Sequence, residues 1–98
     1  MSFQLMASGS VLISGKEIKS RDHLHNLIAK QLNFPTYYGR NLDSLYDVLS
    51  TDFTGQTVIK IKFLSILKSK LGEDYTEAFI QVIMDASEDN PRIILLLE

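Results

Sequence analysis

The sequence predicts an α/β domain with a three-stranded parallel sheet and about four helices. Three short apolar segments are typical of strands: residues 10–14, 56–63 and 92–97. Each interval between them holds two segments with apolar residues at helical spacing, which gives the order β-αα-β-αα-β. Such long crossovers are what parallel strands require, because a tight turn can join only antiparallel neighbours.

The first half of the chain has clear signals for the starts of its helices. Ser20 can cap the first helix, with Asp22 favourably placed in its first turn, and Pro35 forces the helix to end. Asn41 can cap the second helix. An apolar stripe follows each cap: Leu24, Leu27, Ile28 and Leu32 in the first helix, and Leu42, Leu45 and Leu49 in the second.

The second half repeats this arrangement. Residues 56–63 alternate after Thr57 and form the middle strand, and residues 63–71 form a short helix that ends near Gly72. Asp74 can open a fourth helix, which stops at residues 90–91, an Asn-Pro pair. The final segment, residues 92–97, is continuously apolar, and such a run predicts a strand covered on both faces.

Length and composition restrict the class of protein. The 98 residues, 45% of them apolar, predict one domain spanning 1–98, with residues 1–9 as a short N-terminal extension. Without cysteine, neither disulfides nor thiolate metal sites can form. No signal peptide and no membrane-spanning run is apparent, so we expect a soluble, cytoplasmic protein.

Charge is segregated along the chain although the net charge is only −2. Residues 41–55 contain three acids and no base, and residues 73–98 contain seven acids and a single arginine. Residues 56–72, by contrast, contain four lysines and no acid. The acidic segments argue against a nucleic-acid binder, which needs a basic stripe, and favour the steering of a charged partner.

The segment YYGRNLDSLYDVL, residues 37–49, places two acids on one helical face. Asp43 and Asp47 are four residues apart beside Tyr46, and like charges at this spacing weaken a helix by about 0.2–0.5 kcal/mol. Three interpretations remain open at this point: a solvated face, a site for a hard cation, or a surface that binds a positively charged partner. Two acids on one helix are too few ligands for a cation unless others converge.

Sites for catalysis or metal binding have little support elsewhere. His23 and His25 project about 200° apart on a helix, so they cannot chelate one metal ion. No serine, histidine and acid arrangement has the sequence context of a known nucleophile, and cysteine is absent. We therefore expect no enzymatic activity, no metal and no cofactor.

The segment SGKEIKSRDHLHNLIAKQLNFPTYYGRNLDSLYDVL resembles the barstar-like family of ribonuclease inhibitors. The matching features are a strand followed by glycine, the helix start after it, a proline two residues before YYG, and the ordered run YYG-x-NLD-x-L-x-D. The resemblance covers roughly residues 11–97. It implies a three-stranded parallel sheet packed with helices, and an activity that blocks the active site of a small secreted ribonuclease of the barnase type.

The resemblance also implies which residues contact the ribonuclease, and in this reading Asp47 stands in for an RNA phosphate. The second helix and the loop before it would form the binding face, with acids of the last helix beside them. The implied contact residues are Tyr37, Tyr38, Gly39, Asn41, Asp43, Tyr46, Asp47 and Asp85, and Asp89 is a weaker candidate. The expected partner is a barnase-like ribonuclease bound in a 1:1 complex, with no direct contact to nucleic acid or membrane.

Several residues depart from the best-known member of the family, among them Phe53, the aromatic of the loop after the second helix, which is shifted by one position. Arg40 occupies a position that is acidic there, Tyr46 replaces a tryptophan, and Asp85 replaces a glutamate. These differences bear on which ribonuclease is recognised. The alternative hypothesis is an acidic interaction module that binds a basic protein other than a nuclease.

Overall fold

The computed structural model describes residues 9–98, which form a parallel sheet and a layer of helices. The elements in chain order are β1 (Gly9–Ser14), α1 (Arg21–Leu32), α2 (Leu42–Asp47), a π-helical turn (Val48–Asp52), β2 (Thr57–Lys62), α3 (Leu64–Leu71), α4 (Glu73–Asp89) and β3 (Ile93–Leu97). Both strand pairs are parallel, and the sheet order is β1-β2-β3. The predicted α/β fold class, with three parallel strands and four helices, is confirmed.

The two predicted helix caps are present. The Ser20 hydroxyl accepts a hydrogen bond from the backbone N–H of His23 at 3.0 Å. The Asn41 side-chain oxygen accepts one from Ser44 N–H at 2.8 Å. Each cap satisfies a backbone donor that has no partner inside its helix. α1 ends at a left-handed residue, Asn33, with φ of 55°, so its end precedes Pro35.

The second helix changes its hydrogen-bond pattern at its C-terminal end. We predicted one helix through Leu49, but α2 ends at Asp47 and continues as the π-helical turn, in which Phe53 N–H donates to Val48 C=O at 2.7 Å. The buried Asn90 amide donates to the Leu49 carbonyl at 2.8 Å. A side chain from the end of α4 therefore satisfies a carbonyl of the widened turn.

The later elements differ slightly from the predicted boundaries. β2 ends one residue early because Phe63 adopts a left-handed conformation with φ of 57°. α4 begins at Glu73 directly after Gly72, and no side chain caps it, so Asp74 lies inside the first turn rather than opening the helix.

One face of the sheet forms the core with the helices. Val11 of β1 is in register with Ile59 of β2, which is in register with Leu95 of β3. The side chains that α1 and α4 contribute to this core are almost fully buried: Leu24, Ile28, Leu32, Phe79, Ile83 and Ala86.

The opposite face of the sheet is open, which contradicts the expectation that β3 is covered on both sides. Leu12 is 49% exposed, Ile94 51% and Leu96 44%. The apolar run of residues 93–97 resembled a doubly covered strand, but the helices cover only one of its faces. Nothing local in the sequence encodes on which side of a sheet a helix packs.

The N-terminal extension predicted for residues 1–9 lies outside the described residues except for Gly9, which begins β1. Within residues 9–98, none of the helices has the length and apolar character needed to cross a bilayer.

Candidate protein-binding site

An open groove of about 530 Å³ lies between α2 and α4. It is lined by Leu42, Asp43, Tyr46, Asp47, Val82 and Asp85. The i, i+4 spacing puts Asp43 and Asp47 on the same side of α2, and the packing of α2 against α4 brings Asp85 to them. The structure therefore brings Asp85, distant in sequence, to the two predicted carboxylates of α2.

The groove is acidic and exposed. Asp43, Asp47 and Asp85 are all exposed, and within residues 9–98 none of them takes part in a salt bridge. Asp85 accepts a hydrogen bond from the side chain of Gln81 at 2.9 Å, which orients the carboxylate without neutralising it. The groove thus presents three carboxylates that have no salt-bridge partner among the described residues.

Tyr46 connects the two helices that form the groove. Its hydroxyl donates a hydrogen bond to the carboxylate of Asp89 in α4. This bond is the main reason that the pKa of Tyr46 is raised, because a phenolate would lose the bond and repel the carboxylate. Asp89, a weaker candidate in the sequence, thereby holds the ring of Tyr46 in place.

Tyr37 is the most exposed aromatic residue of the loop before α2. Its side chain is 68% exposed, and its hydroxyl donates to the Asp52 carboxylate at 2.7 Å. That hydrogen bond also raises the pKa of Tyr37. Asp52 was not among the predicted site residues, because only the π-helical turn brings it to the loop. In the sequence, only its position in the acidic segment 41–55 indicated that Asp52 could belong to the site.

Tyr38 lies in the core and is not part of the exposed surface. Its side chain is only 8% exposed, packs edge-on against Phe34 with ring centroids 4.9 Å apart, and hydrogen-bonds through its hydroxyl to His25 Nδ1 at 2.5 Å. The other ring nitrogen of His25 bonds to the Tyr75 hydroxyl at 2.6 Å. Tyr38 thus anchors the loop to α1 and, through His25, to α4.

Gly39 and Asn41 shape the junction between this loop and α2. Gly39 N–H donates to the Ser44 hydroxyl at 2.8 Å. A Cβ atom added to Gly39 would lie 3.1 Å from the side-chain nitrogen of Asn41 and 3.3 Å from Ser44 Cβ. A glycine here permits this close approach, and Asn41 is exposed while serving as the helix cap.

Arg40, in the loop directly before α2, is held by a residue of α1. It is an exposed residue with φ of 54°, a left-handed conformation, and its Nε donates to the side-chain oxygen of Asn26 in α1 at 2.8 Å. The segment that leads into α2 therefore carries a fixed positive charge on the side of α1.

Metal binding finds no support in this region. Among the described residues, no three His, Asp or Glu side chains are arranged to hold a metal ion, and this includes the three acids of the groove.

Comparison with known proteins assigns the chain to a family. The family model described as "Barstar (barnase inhibitor)" matches residues 9–96. The chain belongs to the barstar family. A curated protein of Bacillus subtilis (strain 168), named "Putative ribonuclease inhibitor YrdF", is 32% identical over 79 residues, which cover 81% of this chain and 86% of that protein. The resemblance seen in the residues before and within α2 is thus confirmed, and barstar-family members are inhibitors rather than enzymes.

Proposed function

We propose that the chain is a protein inhibitor of the immunity or antitoxin type that binds and blocks the active site of a small basic ribonuclease similar to barnase. The observation that carries this proposal is the convergence of Asp43, Asp47 and Asp85 around one groove with no salt-bridge partner among the described residues. In a member of the barstar family, such a groove is the surface best suited to a basic active site.

The chemistry of a ribonuclease explains why carboxylates can block it. An enzyme that cleaves RNA gathers Arg, Lys and His side chains where the phosphate binds. A carboxylate placed there accepts short, charge-assisted hydrogen bonds from the same groups. We assign this role to Asp47, which lies on the exposed side of α2 at the groove.

The surroundings of Asp47 favour tight binding because they are ordered in the free chain. Tyr46 is held by Asp89, Tyr37 by Asp52, and the loop backbone by buried Tyr38. Side chains that are already fixed lose less conformational entropy when a partner binds. Tyr37, Tyr46, Gly39 and Asn41 accordingly form the proposed rim around the three acids.

A titration of ribonuclease activity tests the proposal. The chain is added in steps to a purified barnase-type ribonuclease, and RNA cleavage is measured. We expect cleavage to fall linearly to an end point of one inhibitor per enzyme. Uninhibited cleavage by the whole range of small basic ribonucleases would contradict the proposal. Binding that leaves cleavage intact would instead favour an acidic interaction module.

A matched pair of variants locates the surface. Asp47→Asn removes one charge with little change of shape and should weaken inhibition strongly. Asp74→Asn makes the same chemical change in the first turn of α4, eleven residues or roughly 16 Å along the helix from Asp85, and should leave inhibition unchanged. Equal effects of the two variants would show that general charge, not this groove, determines binding.

A further inference from the structure

The outer edge of β3 is an unprotected strand edge. Within residues 9–98 no strand pairs with it, because β3 is the last strand of the sheet. Its residues, 93–97, are IILLL and include no charge and no proline. Natural proteins usually protect an edge with a charge, a proline or a bulge, since free backbone groups beside apolar side chains attract another chain.

Exposed apolar side chains concentrate at this edge. Of the seven large apolar side chains exposed in the described residues, four lie here: Met84, Ile94, Leu96 and Leu97. An apolar groove of about 490 Å³ follows the strand between β3 and the C-terminal half of α4. Exposed apolar side chains therefore lie on both faces beside the β3 edge.

The backbone groups of β3 point alternately towards β2 and towards the open edge. Thr57 N–H donates to the Arg92 carbonyl at 2.9 Å, and Glu98 N–H donates to the Ile61 carbonyl at 2.8 Å. Even-numbered residues of this segment thus bond to β2. In a parallel strand the intervening residues point their backbone groups to the other side. The backbone N–H and C=O groups that point outward accordingly belong to Ile93, Leu95 and Leu97. Of these groups, the N–H of Ile93 already bonds to the Asn90 carbonyl.

We propose that β3 is a dimerisation strand and that its partner is β3 of a second copy of this chain. The two strands run antiparallel about a two-fold axis at Leu95, which joins two sheets into one of six strands. In this register Leu95 exchanges two backbone hydrogen bonds with Leu95 of the partner subunit. Leu97 N–H donates to the carbonyl of the partner's Ile93, and the symmetric bond forms on the other side.

Charge complementarity between the two ends of β3 favours a second copy of this chain as the partner, and favours strand pairing centred on Leu95. Arg92 and Glu98 flank the apolar run. Arg92 lines a groove with Val58 and Ile94 of the open face, and Glu98 bonds to Lys60 and Lys62 on the same face. An antiparallel pair centred on Leu95 sets Arg92 opposite the partner's Glu98, and the reverse pair forms at the other end. Arg92 takes part in no salt bridge within residues 9–98, while Glu98 accepts Lys60 at 3.2 Å and Lys62 at 3.8 Å.

The dimer leaves the acidic groove accessible. Met84 lines the groove beside β3, whereas Asp85 lines the groove beside α2. Consecutive residues of a helix project about 100° apart, so α4 presents these two surfaces on different sides. The proposal therefore does not depend on the proposed inhibition of a ribonuclease.

Sedimentation of the full chain over roughly a hundredfold range of concentration tests dimer formation, which is concentration-dependent. We expect a shift from monomer to dimer with increasing concentration. Ile94→Lys should abolish the shift. Leu12→Lys, at a residue of similar exposure (49% against 51%) on the same sheet face but on the opposite edge strand, should preserve it. A wild-type chain that stays monomeric, or equal effects of the two variants, would overturn the proposal.

A mixing experiment tests the register. Arg92→Glu gives a chain with acids at both ends of β3, and Glu98→Arg gives one with bases at both ends. Each variant alone should be monomeric, and an equal mixture should form heterodimers because every end pair is then attractive. Circular dichroism of each variant verifies that it is folded. A mixture of folded variants that remains monomeric would overturn the pairing of Arg92 with Glu98.

Discussion

Arg40 gives the proposed binding face a positive charge that a basic ribonuclease should oppose. Its bond to Asn26 fixes the guanidinium group beside α1, next to the loop that leads into α2. Like charges brought together at an interface disfavour a partner, which is one way in which interfaces reject wrong proteins. We expect Arg40→Glu to tighten binding to a barnase-type ribonuclease by about tenfold or more, equivalent to about 1.4 kcal/mol.

Calorimetric titration at low and high salt measures this effect. Lys30→Glu, at an exposed residue of α1, changes the net charge equally and serves as the control. If Arg40→Glu binds no more tightly than the Lys30→Glu variant, Arg40 meets an acid on the ribonuclease or points away from it.

A substitution at Asp47 should change the stability of the free chain and the strength of binding in opposite directions. It lies one turn after Asp43 at the end of α2, and among the described residues its side chain has no salt-bridge partner. Asp47→Ala removes a repulsion of about 0.2–0.5 kcal/mol and gains up to about 0.7 kcal/mol of helix propensity. The free energy of unfolding of the free chain should therefore rise slightly.

The same substitution should weaken the complex. Removing one member of a buried charge pair typically costs about 2–5 kcal/mol of binding free energy. A complex of this same family is among the examples on which this range rests. Denaturant melts and binding titrations on one preparation of the variant measure both effects. An Asp47→Ala chain that unfolds more easily and binds as before would identify Asp47 as a structural residue.

At the scale of elements, His25 links α1, the loop before α2, and α4. It is 1% exposed and bonds to the hydroxyls of Tyr38 and Tyr75. Burial lowers the pKa of His25, and the nearby Asp22 carboxylate only partly opposes that shift. The unfolded chain therefore binds a proton more readily than the folded chain. Stability should be full above the unfolded pKa of about 6.5 and should fall as the pH drops from there through the lower folded pKa.

Urea unfolding between about pH 7 and about pH 5 measures this loss. His25→Gln cannot titrate, so its free energy of unfolding should depend less on pH in that window. Gln31→Asn, a change without a titratable group at an exposed residue of α1, is the control and should keep the wild-type dependence. An unchanged slope in His25→Gln would assign the pH dependence to other groups.

An element could be predicted from sequence where the residues that determine it are neighbours in the chain. Ser20 and Asn41 act on backbone groups within three residues, so the starts of α1 and α2 could be predicted from sequence. The π-helical turn could not, because Asn90, distant in sequence, bonds to its Leu49 carbonyl. The burial of Tyr38 likewise depends on His25, thirteen residues earlier in another element.

At the scale of the whole molecule, the sequence predicted the sheet but not its open face. The three strands and their parallel order follow from the apolar segments and the long crossovers. The exposure of Ile94 and Leu96 depends on the side where the helices pack, which no local pattern specifies. For the site, the resemblance indicated Asp43, Asp47 and Asp85. Asp52 and Val82 could be assigned to the site only from the structure, because packing brings them there.

The two surfaces of α4 predict an inhibitor whose binding and self-association are independent. Ile94→Lys acts at the β3 edge and should inhibit a ribonuclease as well as the wild-type chain does. Asp47→Asn acts at the acidic groove and should dimerise normally. At high concentration, light scattering of the wild-type chain with excess ribonuclease should give the mass of two chains and two enzymes, since the proposed dimer leaves both grooves open. A complex of one chain and one enzyme at a concentration where the free chain is dimeric would show that the two surfaces compete. In that case the ribonuclease would extend across α4 to the β3 edge.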